Sequence, residues 1–157
     1  MSIEKVRKYF KEFGLEEKIR EFDVSSATVE LAAKALDVIP GRIAKTLSFQ
    51  NKEGGCILVV TSGDVKIDNS KFKKIFSMKA KMLPTTEVAQ MVGHAVGGVC
   101  PFAVPDEVPV YLDESLKKYE TIFPACGSSN SAIEFNWAEL EKYVKNSKWV
   151  EVTKEME

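Results

Sequence analysis

Apolar residues recur at helical spacing through Ile3, Val6, Phe10 and Phe13, and Gly14 follows as a stop. The period then shortens: Ile19–Val24 alternates and predicts a short strand. Helical spacing returns over 27–36, where Ser26 is placed to cap the helix and Glu30 lies near its first turn. Pro40-Gly41 marks a turn. Ile43–Gln50 reads as a strand, Asn51–Gly55 as a hairpin loop, and Cys56–Thr61 as a strand apolar on both faces, hence central. Asp68-Asn69-Ser70 opens a helix with Phe72, Ile75 and Phe76 facing inward, and Met78–Met82 reads as a short strand. A helix opened by Pro84 runs to Met91 or Val92 and stops at Gly93. Val108–Asp113, Thr121–Cys126 and Ala132–Phe135 predict further strands, and Asn136 caps a last helix from Trp137 to about Lys145. Strands and helices mix without a strict βαβ rhythm. The expectation is a single α/β domain over 1–157, with a mixed, curled, barrel-like sheet flanked by helices.

Composition changes that picture little. The chain has 157 residues, 45% apolar and 29% charged, as in an ordinary globular domain with a sizeable core. No apolar run approaches the roughly 20 residues of a membrane span, so no membrane partner is expected. The first residues carry no secretory apolar core. Cys56, Cys100 and Cys126 are odd in number and widely spaced, which argues against a disulfide framework and for a reducing cytoplasm. One histidine and no paired-cysteine motif argue against zinc, and no metal or other cofactor is expected.

Net charge is −1, which excludes a generally basic nucleic-acid binder, yet the charge is uneven. Residues 66–81 hold six lysines against the single acid Asp68. Lys71, Lys73 and Lys74 form either a local phosphate-contacting patch or a solvated helix face.

The candidate chemistry lies in two places. Gly93–Phe102 holds three glycines, the one histidine and a cysteine, then turns through Pro101. Glycine permits positive φ and close approach of a ligand to the main chain, so the loop's amides and carbonyls could be its functional groups. It is not a P-loop, since no Gly-Lys-Ser/Thr follows, nor a dinucleotide fingerprint. The bland alternative is a tight connection. Lys45 is the second place: on the strand it shares a face with Ile43, Leu47 and Phe49, where an ammonium is costly unless an anion or dipoles satisfy it. The alternatives are snorkelling to solvent or pairing with a buried carboxylate. His94 and Cys100 also invite a thiol-hydrolase reading, with Cys100 as nucleophile, His94 as base and Asp113 as orienter. Against it, Cys100 reads equally as a small buried residue, and Asp113 as the cap of a helix begun by Glu114.

Ile43-Ala44-Lys45-Thr46-Leu47, Gly97-Gly98-Val99-Cys100-Pro101 and Tyr111–Leu116 resemble, in matching order, the YbaK/prolyl-tRNA-synthetase-associated domain family. The resemblance covers nearly the whole chain. Its members are trans-editing aminoacyl-tRNA deacylases, and the same domain is inserted in many bacterial prolyl-tRNA synthetases. It implies a mixed α/β fold and an esterase acting on the 3′ end of mischarged tRNA, with prolyl-tRNA synthetase as a partner. By the same resemblance Lys45 holds the substrate's 3′ end, and the main chain from Gly97 to Pro101 faces the aminoacyl group and terminal ribose. Gly97 and Gly98 would join Lys45 in catalysis. Thr46, His94, Val99, Cys100, Pro101 and Asp113 would bind substrate, with Val99, Cys100 and Leu47 walling a small pocket. Loop dipoles would stabilise the oxyanion while the substrate's own ribose hydroxyl helps to place water. Cys126-Gly127-Ser128-Ser129-Asn130 lacks the basic residue of the YbaK-type cysteinyl editors. Cys, Ala, Ser and Thr therefore all stay open as the amino acid removed. A non-catalytic module that binds aminoacyl-tRNA or a synthetase is the competing reading.

Overall fold

A computed structural model describes residues 2–156. In chain order the elements are α1 (Ser2–Lys11), β1 (Arg20–Glu21), α2 (Val29–Leu36), β2 (Ile43–Gln50), β3 (Cys56–Ser62), β4 (Val65–Ile67), α3 (Asn69–Phe76), α4 (Thr85–Val92), β5 (Val110–Asp113), β6 (Phe123–Pro124), β7 (Ser131–Ala132), α5 (Trp137–Tyr143), β8 (Lys148–Val150) and β9 (Thr153–Glu155). Short 3₁₀ turns lie at Glu16–Lys18, Pro40–Arg42 and Glu114–Lys118.

The main sheet has the order β6-β2-β3-β5-β8. β2 and β3 form an antiparallel hairpin, while β6, β5 and β8 join in parallel. The mixed α/β architecture is therefore present as expected. Among the described residues the sheet does not close: β6 and β8 end the ladder without pairing to each other, and β1-β7 and β4-β9 form separate two-stranded ribbons.

β3 is buried at every residue, as its two-sided apolarity requires. Cys56, Leu58 and Val60 enter one core with Phe10, Phe102, Leu112 and Phe135. Ile57 and Val59 enter another with Phe49, Phe72 and Val152. This is the period-two alternation of a central strand serving two layers. In the first layer Phe10 packs edge-on against Phe102 at 4.7 Å and Phe135 at 5.8 Å, so α1 is anchored beside the glycine-rich loop. Each such ring contributes about 1.5–3 kcal/mol by burial.

Several local expectations are corrected. The cap of α2 is Thr28, whose hydroxyl accepts from Leu31 N at 3.2 Å; Ser26 is drawn away because its amide and hydroxyl both donate to Ser129 O. Ile75 is 49% exposed, because only Phe72 is fully buried on that helix face and Phe76 completes its seam. Met78–Met82 contributes a single bridge, Phe49 to Met82, and Thr121–Cys126 shortens to Phe123–Pro124 plus a bridge from Ile122 to Phe135. The ribbon and edge strands β4, β8 and β9 carry only three residues each, too few for a readable alternation. The expected caps Asp68, Asn136 and Asp113 are present, Asn136 within a reciprocal capping box with Glu139.

Candidate active site

Four segments close around a cavity of about 230 Å³: the β2 strand, the start of α2, the run from Met82 through α4, and the loop after Gly93. β6, β7 and the residue Ala125 complete the wall. Its lining is small and mostly apolar, with Ala27, Ala32, Ala44, Gly97, Ala125 and Ala132 alternating with Ser26, Thr28, Thr46, Ser48 and Ser131. Lys45 is the one charged residue among those that line it. The volume lies below the roughly 300–1,000 Å³ of ordinary small-molecule sites, which fits a small group rather than a large side chain.

Lys45 is half-buried, and its Nζ donates to Val65 O at 2.6 Å. Desolvation lowers its pKa, while the nearby carboxylates of Asp64 and Glu30 pull in the opposite direction. The ammonium retains hydrogen-bonding capacity, since among the described residues Val65 O is its hydrogen-bond partner.

Asp64 anchors this arrangement. Ser62 Oγ and Tyr119 OH each donate to it at 2.5 Å, and Lys118 Nζ at 3.0 Å. Burial would raise its pKa, but the three hydrogen bonds and the Lys118 charge outweigh that and hold the carboxyl at about 2. The knot admits no side chain at Gly41, where a Cβ would lie 2.1 Å from Tyr119 Oη, nor at Gly63, where it would meet Pro40 O at 2.2 Å. Sequence reading missed Asp64; its only signal was a Ser-Gly-Asp turn between two strands.

The glycine-rich loop shows two sides. Gly97 takes φ +92°, lines the cavity with Val96 and Val99, and packs so that a Cβ would lie 3.4 Å from that of Ala27. Gly98 N donates to Ala95 O, and a Cβ at Gly98 would come within 2.9 Å of Ser128 N and Cα. The loop therefore rests on the Gly127–Asn130 turn, which Ser26 and Phe22 also bind.

The other side is core. His94 and Cys100 are fully buried and do not line the cavity. His94 Nε2 donates to Phe102 O at 2.7 Å and lies 3.4 Å from Cys100 Sγ; its Nδ1 is buried without a partner among the described residues. Desolvation lowers the His94 pKa and pushes the Cys100 thiol up to about 12. A buried neutral thiol beside an imidazole committed to a carbonyl is no nucleophile–base pair. Asp113 is not its orienter either: the carboxylate accepts from Ser115 N, Val152 N and Thr153 Oγ1, pinning the start of β9 to the end of β5. Pro101 borders a separate small depression with Tyr9 and Tyr143, and Leu47 packs with the Phe49 and Phe72 cluster. Of the expected site residues, the fold thus gathers Lys45, Thr46, Gly97 and Val99 at one cavity, and sends Cys100, His94, Asp113, Pro101 and Leu47 elsewhere. Gly98 lies one residue behind the cavity wall.

On α3, Lys71 is engaged with Thr153 O at 3.0 Å and Glu151 at 3.8 Å. Lys73 borders a shallow depression with Asn69, Ser70 and Lys79 on the outer surface, and neither it nor Lys74 lines the cavity. No helix among the described residues is long and apolar enough to cross a membrane.

Residues 23–143 match the family model of the aminoacyl-tRNA editing domain. "Uncharacterized protein YwhH" of Bacillus subtilis (strain 168) is 47% identical over 157 residues, covering 100% of both chains. The Enterococcus faecalis (strain ATCC 700802 / V583) protein "Putative Cys-tRNA(Pro)/Cys-tRNA(Cys) deacylase EbsC" is 28% identical over 127 residues, 80% of this chain and 77% of that one. A crystal structure described as "a putative trans-editing enzyme for prolyl tRNA synthetase" superposes with a TM-score of 0.86 at 26% identity, covering 98% of this chain and 97% of the other. The chain belongs to the aminoacyl-tRNA editing domain family and is by class an aminoacyl-tRNA hydrolase.

Proposed function

We propose that this chain removes a small, wrong amino acid from tRNA, with tRNA for proline charged with Cys, Ala, Ser or Thr as the substrate class. One observation carries the reading: a small-residue cavity of about 230 Å³ whose single charged lining group is Lys45, across from the main chain at Gly97. The 3′ aminoacyl end enters there. Lys45 holds it through an anionic or carbonyl oxygen, Thr46 and Val99 bound the aminoacyl group, and the main chain at Gly97 faces the developing oxyanion, with Gly98 holding the turn in place through its bond to Ala95 O. The first turns of α2 and α4, represented in the lining by Val29 and Thr85, add partial positive charge on the same side. No carboxylate, imidazole or thiol lines the cavity among the described residues, so the substrate's ribose hydroxyl helps to place the attacking water. An activated ester needs positioning and charge stabilisation more than a strong base. The whole chain acts as one editing unit, because Phe10 of α1 shares its core with Phe102 of the loop. Prolyl-tRNA synthetase is the natural protein partner, as the enzyme whose errors such an activity corrects.

The test is a deacylation panel with purified protein and tRNAs carrying Cys, Ala, Ser, Thr and, as the cognate control, Pro. At least one of the first four is hydrolysed well above the buffer rate and Pro is spared. Absence of turnover on all four sinks the proposal, and tight tRNA binding without turnover would put the non-catalytic module in its place.

A further inference from the structure

β4 and β9 pair in the register Val65–Glu155, Lys66–Lys154 and Ile67–Thr153. Flanking hydrogen bonds fix which of these are hydrogen-bonded pairs: Met156 N donates to Asp64 O and Asp68 N to Val152 O. By alternation Lys66 and Lys154 form the hydrogen-bonded pair between them, with Cα atoms about 5.5 Å apart and side chains on one face. Both residues are exposed. Among the described residues neither side chain makes a hydrogen bond or ion pair, although the charge of Lys154 acts on Asp68, whose carboxylate already accepts from Ser70 N and Lys71 N. Like charges directly opposite each other destabilise a ribbon; the Asp68 carboxylate offsets part of this for Lys154, and an anion lying across the pair would relieve the rest.

The same register explains a second feature. Val65 belongs to a non-hydrogen-bonded pair, so its carbonyl points away from β9, and Lys45 Nζ takes it at 2.6 Å. Lys66 therefore begins one peptide bond from the atom that holds the site lysine. Asp113 pins Val152 and Thr153 from beneath, so the ribbon is fixed relative to β5.

We propose that the Lys66–Lys154 pair is a phosphate clamp that holds the backbone of the tRNA acceptor end while its terminal ester reaches Lys45. The proposal rests on the hydrolase reading above and names a surface for its substrate. It places an RNA contact on the ribbon beside the one expected on α3, where Lys71 is paired with Glu151.

The test is the double variant Lys66→Ala/Lys154→Ala, compared with wild type on full-length aminoacyl-tRNA and on an aminoacylated CCA trinucleotide. Full-length KM rises about tenfold at low salt. The slope of log(kcat/KM) against log[salt] becomes shallower by about 1.4–1.8, as expected for two lost phosphate contacts. Trinucleotide turnover and the melting temperature do not fall. An unchanged KM and salt slope on full-length tRNA overturn the clamp. So does an equal loss on both substrates, which would mean that the ribbon acts only through Lys45, and so does a defect seen only when a synthetase is added. Should wild type hydrolyse none of the charged tRNAs, the hydrolase reading falls by itself. The clamp is then judged by binding of uncharged tRNA, which wild type retains and the double variant loses if the clamp is real.

Discussion

The loop from Gly93 to Phe102 has two sides that differ in every property relevant to chemistry. Gly97 and Val99 border a cavity, with the main chain bent to a positive φ that glycine accepts without strain. His94 and Cys100 sit in the core beneath, where burial pushes the thiol up to about 12 and lowers the pKa of the imidazole. The side chains that look reactive in the sequence are therefore the inert half. The residues without functional side chains form the half that a substrate can meet. Across the cavity the same contrast recurs in charge. Lys45 is a half-buried cation within reach of the Asp64 and Glu30 charges, whereas His94 and Cys100 are both pushed by burial toward their uncharged forms. In this molecule reactivity follows access and electrostatic setting rather than residue type.

The largest effect should come from the charged side. Lys45→Ala removes the one cation of the cavity, and kcat/KM for the hydrolysed aminoacyl-tRNA should fall about 10²–10³-fold, the loss typical of a transition-state charge stabiliser. The Lys45→Ala protein should melt close to wild type, because relief of the desolvated ammonium offsets the loss of its bond to Val65 O. A fall of less than about threefold would detach the cavity from the chemistry.

Next is the loop's main chain. Gly98→Ala must move the loop, because its Cβ would meet the backbone of Ser128 at 2.9 Å. A shift of even a fraction of an ångström misaligns the Gly97 side of the turn, so kcat should drop about tenfold or more with a smaller change in KM. A Gly98→Ala protein with unchanged kcat would remove the main-chain role.

The third test is electrostatic. Asp64→Asn keeps the side-chain shape and one acceptor toward Ser62 and Lys118, replaces the oxygen facing Tyr119 by an amide donor, and deletes a charge that raises the Lys45 pKa. Desolvation then acts with less opposition, so the Lys45 pKa falls further below its ordinary value. A ¹⁵N titration of the Lys45 ammonium should show the midpoint moving to lower pH, and the alkaline limb of kcat/KM should move with it. For Asp64 itself the sign is the reverse of a lysine's. Its folded pKa of about 2 lies below the ordinary 3.8, so its contribution to stability is full above about pH 4. That contribution is lost as the pH falls toward 2, and Asp64→Asn should flatten the acid limb of the stability curve.

Much of this arrangement was legible in the chain. The two-sided apolarity of Cys56–Thr61 announced the central strand, and the alternation of β2 singled out Lys45 as a cation where apolar residues were expected. Gly93 and Gly97 take the positive φ that their loop implied. What stayed hidden was set by long-range contacts. Ser26 looks as good a cap as Thr28 until Ser129 O claims it. Asp113 looked like a local cap or an orienter, and its partners Val152 and Thr153 lie 39 and 40 residues away. Strand β2 also twists between two clusters, with Ile43 packing against Phe123 and Leu47 against Phe49, so a single shared face overstated their kinship. The resemblance in Gly97–Pro101 located the loop but could not say which of its residues face the cavity.

The smallest effect is the most informative for the comparison itself. Cys100→Ala removes a thiol that is fully buried among Phe102, His94 and the Gly127 backbone. If Cys100 were the nucleophile, turnover would vanish with the thiol that carries the acyl intermediate. If it is packing, the variant loses a few contacts and leaves a small void, costing about 1–2 kcal/mol of stability by denaturant titration. Turnover per folded molecule should then stay within about twofold of wild type, because Gly97 packs against Ala27 and Ser129, and Gly98 against the backbone of Ser128. A loss of activity with stability intact would show that the two sides of the loop are chemically joined after all, through the Cys100–His94 contact. Activity retained at reduced stability would confine the chemistry to the cavity side.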